Sequence, residues 1–425
     1  MSAAAPALDS ATSWRVLAGA CLAFVFGVPA LFGSTFGLFM VPLQQSQGWS
    51  RAEIAFSLTL TTFLAWFAVL ISGWLMDHIR LRPLLFAGIA LGAANLAAFS
   101  LIGANIWTFY VLVVALAFTS MGASPLALSK IVQGWFDKRL GSALGVLYAC
   151  GAVGGVVYPV LISSVIATEG WRQAFLLMGA LALVGGMVAA LWLIREPPAT
   201  TSTATASTAL PASSATLKRA PMIAFLGDPT WWKLALWNFL FAMGTGFIMI
   251  HFAPLLHDRG ATPAQTGLAL SVVGASHFAG NLLAGWLVDR ISPRRMAALL
   301  MLMPLAAALL MLKGQGYAAL VVAASILGLA SGSDGSLSAF LARHYFGGKL
   351  FGQAMATQMV ALTLAGGVSP WVSGLMRDSS GNYNLSLTAA AMAFAAAVLA
   401  GWWLPRQGSA SAALDGALEA PAARG

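Results

Sequence analysis

The sequence predicts an all-α membrane protein: twelve transmembrane helices in two pseudo-symmetric six-helix halves. Three observations predict it. The 425 residues are 59% hydrophobic and 8% charged, against about 45–50% and 25% in soluble domains. A soluble fold of this length has too much surface to cover with so few charges. Twelve apolar runs long enough to cross about 30 Å of hydrocarbon fall in two sets of six. Finally, Gly73-Trp-Leu-Met-Asp77-His-Ile-Arg80-Leu-Arg-Pro83 returns 212 positions later as Gly285-Trp-Leu-Val-Asp289-Arg290-Ile-Ser-Pro-Arg-Arg295. A carboxylate and several cations between long apolar stretches are costly except at a membrane surface. Two such turns half a chain apart indicate a duplicated membrane unit.

The first six runs lie near 15–42, 54–76, 84–103, 107–135, 141–166 and 171–194. The second six lie near 231–256, 264–288, 296–312, 317–342, 350–376 and 384–404. Residues 1–194 therefore form an N-terminal half and 230–406 a C-terminal half. Between them 195–229 is rich in Thr, Ser, Ala and Pro without apolar period, the composition of a flexible linker. The Ala/Gly/Ser-rich tail, 407–425, is expected to be disordered.

An even number of spans puts both termini on one side. That side carries sixteen of the 22 Lys and Arg residues, the other five, and Lys130 alone falls inside a run away from its first residues. The excess marks the richer side as cytoplasmic, so a multi-pass protein of a bacterial-type inner membrane with both termini inside is expected. The formal charge of +9 is spread over span ends and forms no basic face or tail, which excludes a nucleic-acid partner. Cys21 and Cys150 both sit in apolar runs and read as packing residues. The first dozen residues, uncharged except for Asp9, have no basic region, so a removable signal peptide is not expected.

The repeat extends beyond the charged turn. Pro42 to Ala52 parallels Pro254 to Ala264, Trp135-Phe136 parallels Tyr345-Phe346, Pro159 matches Pro370 and Gly170 matches Gly381, at offsets of 210 to 212. Because six spans return the chain to its starting side, the halves have parallel topology and are expected to enclose a cavity about an axis along the membrane normal. The paired Gly-Trp-Leu-x-Asp turns, the six-plus-six layout and the central linker resemble the major facilitator superfamily over essentially the whole chain. The stretches Phe36–Phe39, Gly48–Glu53, His251–Gly260, Gly332–Gly335 and Tyr345–Gly347 resemble its bacterial monocarboxylate and oxalate–formate porters. The resemblance implies the major facilitator fold and alternating-access transport. Where those porters commonly carry an arginine for the substrate carboxylate, this chain has Asn281, and His277 falls where some members carry an aspartate. Arg80 and His78 also depart from the usual first turn, which has glycine and a cation there.

For gating, the candidates are Gly73, Asp77, Arg80, Gly285, Asp289 and Arg290. Each carboxylate would cap or pair across the halves in one state more than the other; the alternative is a carboxylate that merely fixes a tight loop. Lys130 either contacts substrate or a gate, or snorkels to the nearby interface. Asp334, in Ser331-Gly-Ser-Asp-Gly-Ser336, is the candidate proton carrier, with a structural acceptor as the alternative. His277 and Asn281 share a helix face; with His251 they are candidate substrate ligands, and His277 is a second candidate for proton coupling because imidazole titrates near neutrality. Ser34, Thr35 and Tyr148 complete the candidate substrate set, and Gln44 is weaker still.

No phosphate-cradling loop, metal-ligand cluster or nucleophile–base set is visible, so neither an enzyme nor a cofactor or metal site is expected. The leading reading is a monomeric secondary transporter for a small organic anion, a monocarboxylate, coupled to protons. The runner-up is efflux of an amphiphilic or aromatic compound, consistent with abundant Trp and Phe and with Asn281. A transporter-fold sensor is the third, although neither linker nor tail has the composition of a signalling domain.

Overall fold

A computed structural model of the chain describes residues 8–137, 139–194, 228–288, 293–314 and 316–405. Apart from Asp228, Pro229 and nothing else of the linker, the expected linker and tail fall outside the described residues. The described elements are all helical: α1 (Ala11–Val25), α2 (Val28–Gln47), α3 (Arg51–His78), α4 (Leu81–Ala98), α5 (Ile106–Thr119), α6 (Pro125–Gln133), α7 (Leu140–Thr168) and α8 (Trp171–Trp192) come from the first half. The second half gives α9 (Pro229–Met249), α10 (Phe252–Asp258), α11 (Pro263–Val288), α12 (Pro293–Lys313), α13 (Tyr317–Ser380) and α14 (Asn384–Trp402). Among the described residues ten helices are long and apolar enough to cross a membrane, eleven with α9 and α10 taken as one bent span. The expected fourth span is the interrupted pair α5–α6.

Three expected spans are broken, and proline accounts for each. Pro29 in the first turn of α2 has no N–H to continue α1, so the first span turns at Phe26–Gly27. Pro125 opens α6 after a break at Ser120–Ser124, and Ser124 Oγ caps the new helix by accepting from Ala127 N at 3.3 Å. Its counterpart in the repeat is Ser336, which can donate, and α13 runs through that position unbroken. Pro254 leaves the Ile250 carbonyl without its helical donor, and α9 and α10 meet at 42°.

One departure runs the other way. A loop was expected between 342 and 350, yet α13 is helical for 64 residues. It still doubles back. Asn238 hydrogen-bonds both Ser338 and Gln358, which a straight helix would hold about 30 Å apart.

The repeat is visible in the backbone. The glycines of positive φ are Gly48 (76°) with Gly260 (81°), and Gly170 (88°) with Gly381 (75°). Each pair occupies equivalent loops of the two halves, where the chain leaves a helix through the left-handed region that glycine enters without a Cβ clash.

The helices gather into two compact units, one of Met1–Ala204, Ile250–Ala275 and Arg377–Asn382, the other of Thr205–Met249, Ser276–Met376 and Tyr383–Gly425. The first is centred on buried aromatics: Phe175 stacks on Phe39 with ring centroids 4.0 Å apart and on Phe99 at 4.9 Å. Hydrocarbon does not drive helices together as water does, so close backbone approach at small residues matters more. In the first unit a Cβ on Gly122 would strike the Leu84 carbonyl, and one on Gly37 would lie 2.7 Å from the freed Ile250 carbonyl. In the second, Gly280 meets the Leu329 carbonyl and Gly332 the His277 carbonyl. Gly122→Val is accordingly expected to destabilise the protein by about 1–3 kcal/mol through overpacking. Thermal unfolding in detergent should show this as a lower midpoint. Gly103→Ala, with nothing within 4 Å of the new Cβ, should leave the midpoint unchanged.

Candidate functional site

Three polar groupings stand out from the apolar packing, one at a helix end in the first unit, one inside the second and one at the repeated turn. The first is built on α3. Ser50 caps that helix: its Oγ accepts from Glu53 N at 3.1 Å, and Glu53 Oε2 accepts from Ser50 N at 2.8 Å. This fixes Arg51 as the first helical residue, where its side chain is only 3% exposed. Arg51 Nη1 and Nη2 donate to the two carboxylate oxygens of Asp258 at 2.7 and 2.6 Å, and Nε donates to Gln44 Oε1 at 3.0 Å. Arg377 Nη2 reaches Asp258 Oδ2 at 3.4 Å, and the Ala52 amide donates to Asp378 Oδ2 at 2.9 Å. A forked guanidinium–carboxylate pair is among the stronger polar contacts available to a protein. Here it clasps α2 and α3, from the first half of the sequence, to α10 and the end of α13, from the second. Beside it a cavity of about 500 Å³ is lined by Val41, Gln45, Ser46, Trp171, His257 and Thr266.

The second grouping surrounds Asp334. Its Oδ1 lies 3.4 Å from Ser338 Oγ, one turn along α13. Ser338 Oγ donates to Asn238 Oδ1 on α9 at 2.8 Å. Asn238 Nδ2 donates to the Leu234 carbonyl at 3.2 Å and to Gln358 Oε1 at 3.0 Å. Asn238, Ser338 and Gln358 are at most 2% exposed, and Gln358 Nε2 has no partner among the described residues. An ionisable group is thus joined by hydrogen bonds to three helical stretches.

At the repeated turn, Lys130 Nζ donates to the Met76 carbonyl at 3.0 Å. Met76, Leu84 and Ala127 form a small buried cluster beneath it. Lys130 therefore belongs with Gly73 and Asp77 in space. Gly73 lies within α3, with open space where a Cβ would go. Asp77 is in the last turn of that helix, with its side chain outside the described residues. Arg80 is exposed just before α4. Gly285 is in α11, whereas Asp289 and Arg290 lie outside the described residues.

The remaining candidates are dispersed. Ser34 and Thr35 hydroxyls donate to the carbonyls one turn back, Ala30 and Leu31, both at 2.6 Å, and Thr35 is fully buried against Met178. Tyr148 is half exposed, and its hydroxyl lies 2.9 Å from Ser129 Oγ. His251 is buried at the α9–α10 bend. His277 and Asn281 share an exposed face of α11, and Asn281 Nδ2 turns back to the His277 carbonyl at 3.4 Å. Their backbone packs on Gly332, two residues before Asp334.

The sequence reading missed Arg51, Asp258, Arg377, Asn238, Ser338 and Gln358 as functional candidates. Asn238 and Gln358 carried a usable signal, as amides within otherwise apolar runs. The clasp carried little, because its members lie 119 and 207 positions apart and each looks like an ordinary loop charge.

Rat monocarboxylate transporter 13 is 24% identical over 392 residues, 90% of this chain and 86% of the relative. The agnestins efflux protein AgnL12 of Paecilomyces divaricatus is 24% identical over 84% of this chain and 79% of its own. Among solved structures, a D-xylose–proton symporter superposes with a TM-score of 0.72 at 15% identity, covering 94% of this chain and 99% of that one. A bacterial homologue of the lysosomal transporter Spinster gives 0.70 at 16%, covering 93% and 95%. The fold is theirs, and the sequence model of one family matches residues 16–257 and again 234–423. The duplicated six-helix halves, the paired turns and these two matches make the chain a member of the Major Facilitator Superfamily.

Proposed function

We propose that this transporter moves a small organic anion, a monocarboxylate, across a cytoplasmic membrane by alternating access, in symport with a proton. The observation that carries the reading is the Asp334 network: one ionisable side chain inside an apolar bundle, hydrogen-bonded through Ser338 to helices drawn from three parts of the chain. An acid at such depth is costly unless it serves a proton or an ion. The kinship with monocarboxylate transporter 13 along 90% of the chain supports the substrate class. The excess of Lys and Arg on one set of loops supports cytoplasmic termini. In this reading the sequence halves, 1–194 and 230–406, move against each other across the 195–229 linker, and the protein works as a monomer.

The Arg51 clasp serves as the latch at the non-cytoplasmic end, and Lys130 with the Gly73–Arg80 and Gly285–Arg290 turns serves at the cytoplasmic end. His277, Asn281, His251, Ser34, Thr35 and Tyr148 remain the residues to test for substrate contact. A second reading, efflux of an amphiphilic aromatic compound, is favoured by the likeness to AgnL12 and by an uncharged Asn281.

Proteoliposomes given a panel of labelled small monocarboxylates should accumulate at least one of them when an inward proton gradient is imposed. Accumulation of none, under any gradient, would sink the leading reading. Asp334→Asn should abolish gradient-driven accumulation and retain exchange of the same solute in counterflow. Equal loss of both would make Asp334 structural. Arg51→Gln should raise the labelling of a Ser163→Cys reporter, now 2% exposed beside the cavity, several-fold with a membrane-impermeant maleimide. Unchanged labelling would show that Arg51 does not hold that end shut.

A further inference from the structure

We propose that Ser338, Asn238 and Gln358 form a hydrogen-bond switch that reports the protonation of Asp334 to α9 and to the second stretch of α13. The inference deepens the reading of Asp334 as proton carrier and rests on it.

The direction of each bond follows from the groups that have no choice. A main-chain carbonyl only accepts, so the Asn238 atom 3.2 Å from the Leu234 oxygen is the amide nitrogen. The same nitrogen lies 3.0 Å from Gln358 Oε1. Asn238 therefore turns its Oδ1 to Ser338, and that oxygen also only accepts. Ser338 has one proton and gives it to Asn238 across 2.8 Å. Toward Asp334, 3.4 Å away, the hydroxyl then offers lone pairs alone. That contact is attractive when Asp334 is the donor, which requires a protonated carboxyl. The shorter reach of Ser338 to Asn238, 2.8 Å against 3.4 Å to Asp334, is the spacing this proposal assigns to the protonated state.

Release of the proton to water leaves a carboxylate that can only accept. The Ser338 hydroxyl rotates to it, because a bond to a charged acceptor outweighs one to an amide. Asn238 Oδ1 loses its donor. Gln358 Nε2 is the replacement at hand: it is buried, has no partner among the described residues, and belongs to an amide whose oxygen already touches Asn238. Turned to Oδ1, it closes an amide pair with two hydrogen bonds. One bond thus joins α9 to the 354–380 stretch of α13 when Asp334 is protonated, and two when it is ionised. The orphaned donor is the reserve of the switch.

Few other charges intrude. α9 carries Lys233, more than a turn before Asn238; α11 presents His277, whose carbonyl lies on Gly332; α13 carries Arg343, His344 and Lys349 in sequence beyond Ser338 and no ionisable group from Ala354 to Met376.

Infrared titration of the full-length protein in liposomes tests the switch without any substrate. The band of the protonated carboxyl that disappears in Asp334→Asn is followed against pH. Gln358→Leu never touches Asp334, yet it removes two bonds from the ionised state and one from the protonated state. The Asp334 band should therefore persist to higher pH by between about half and one unit. In a Ser338→Ala background, where the link is cut, the same substitution should have no effect. A midpoint that Gln358→Leu leaves unmoved or lowers, or a shift that survives Ser338→Ala, overturns the switch. Absence of any Asp334 band at all sinks the proton-carrier reading beneath it. Ser338→Thr, which keeps the hydroxyl, should titrate like the native protein and serves as the folding control.

Discussion

Within hydrocarbon a polar side chain has only protein to bond to, and this constraint sorts the whole molecule. Most hydroxyls meet it by folding back on their own helix. Ser34, Thr61, Thr62, Ser325, Ser331 and Thr363 each donate to the carbonyl four residues earlier, at 2.6 to 2.8 Å. Such groups are silent: they carry no information between helices. The polar groups that do not close on themselves are therefore the informative ones. Ser338 reaches α9, Asn238 reaches Gln358, and Arg51 reaches from one half of the sequence to the other.

The same constraint gives the breaks their meaning. A proline in a span leaves a carbonyl that nothing in lipid will satisfy, so each such carbonyl must meet protein. The Ile250 carbonyl freed by Pro254 is covered by α2 at Gly37, where a side chain would not fit. The bend carries Asp258 at the far end of α10, on the side where Arg51 emerges from its cap. Glycine, proline and arginine thus act in sequence: the first admits the carbonyl, the second frees it, and the third grips the end of the short helix that results. A change at Gly37 would be felt at the clasp without touching a charge.

Much of this was legible in the sequence, and the reason is periodicity. Spans follow from run length, and the two halves from offsets that the positive-φ glycines later matched in the backbone. Prolines 29, 125 and 254 were equally plain, yet their consequence was not, because a proline inside an apolar run kinks, breaks or passes according to what its neighbours can cover. The turn expected between 342 and 350 was legible too: α13 doubles back and supplies two spans, Tyr317–Phe346 and Ala354–Ser380, although its helical hydrogen bonding runs on between them. The site was legible only in part. Asp334 announced itself as a lone acid, but its meaning depends on Asn238 and Gln358, 96 residues before it and 24 after it in the chain. Nothing local distinguishes a networked amide from one folded back on its helix.

Charge balance bears on what such an interior can carry. Lys130 is the one cation away from the ends of the apolar runs, and its ammonium is turned to the Met76 carbonyl at the repeated turn. Asn281 adds no charge, and an ionised Asp334 would add a negative one. A bare dianion entering this environment would meet little fixed positive charge and would lose its hydration without replacement. A monoanion accompanied by a proton is a different case. With the proton on Asp334 the interior holds a neutral acid, and the solute's single charge is the only one to be accommodated. With the proton passed on, the pair leaves as it came, with no net charge moved across the bilayer. An interior with Asn281 in place of the usual arginine thus suits the small singly charged acid proposed above better than a dicarboxylate, and under that proposal the proton on Asp334 would help to hold the anion.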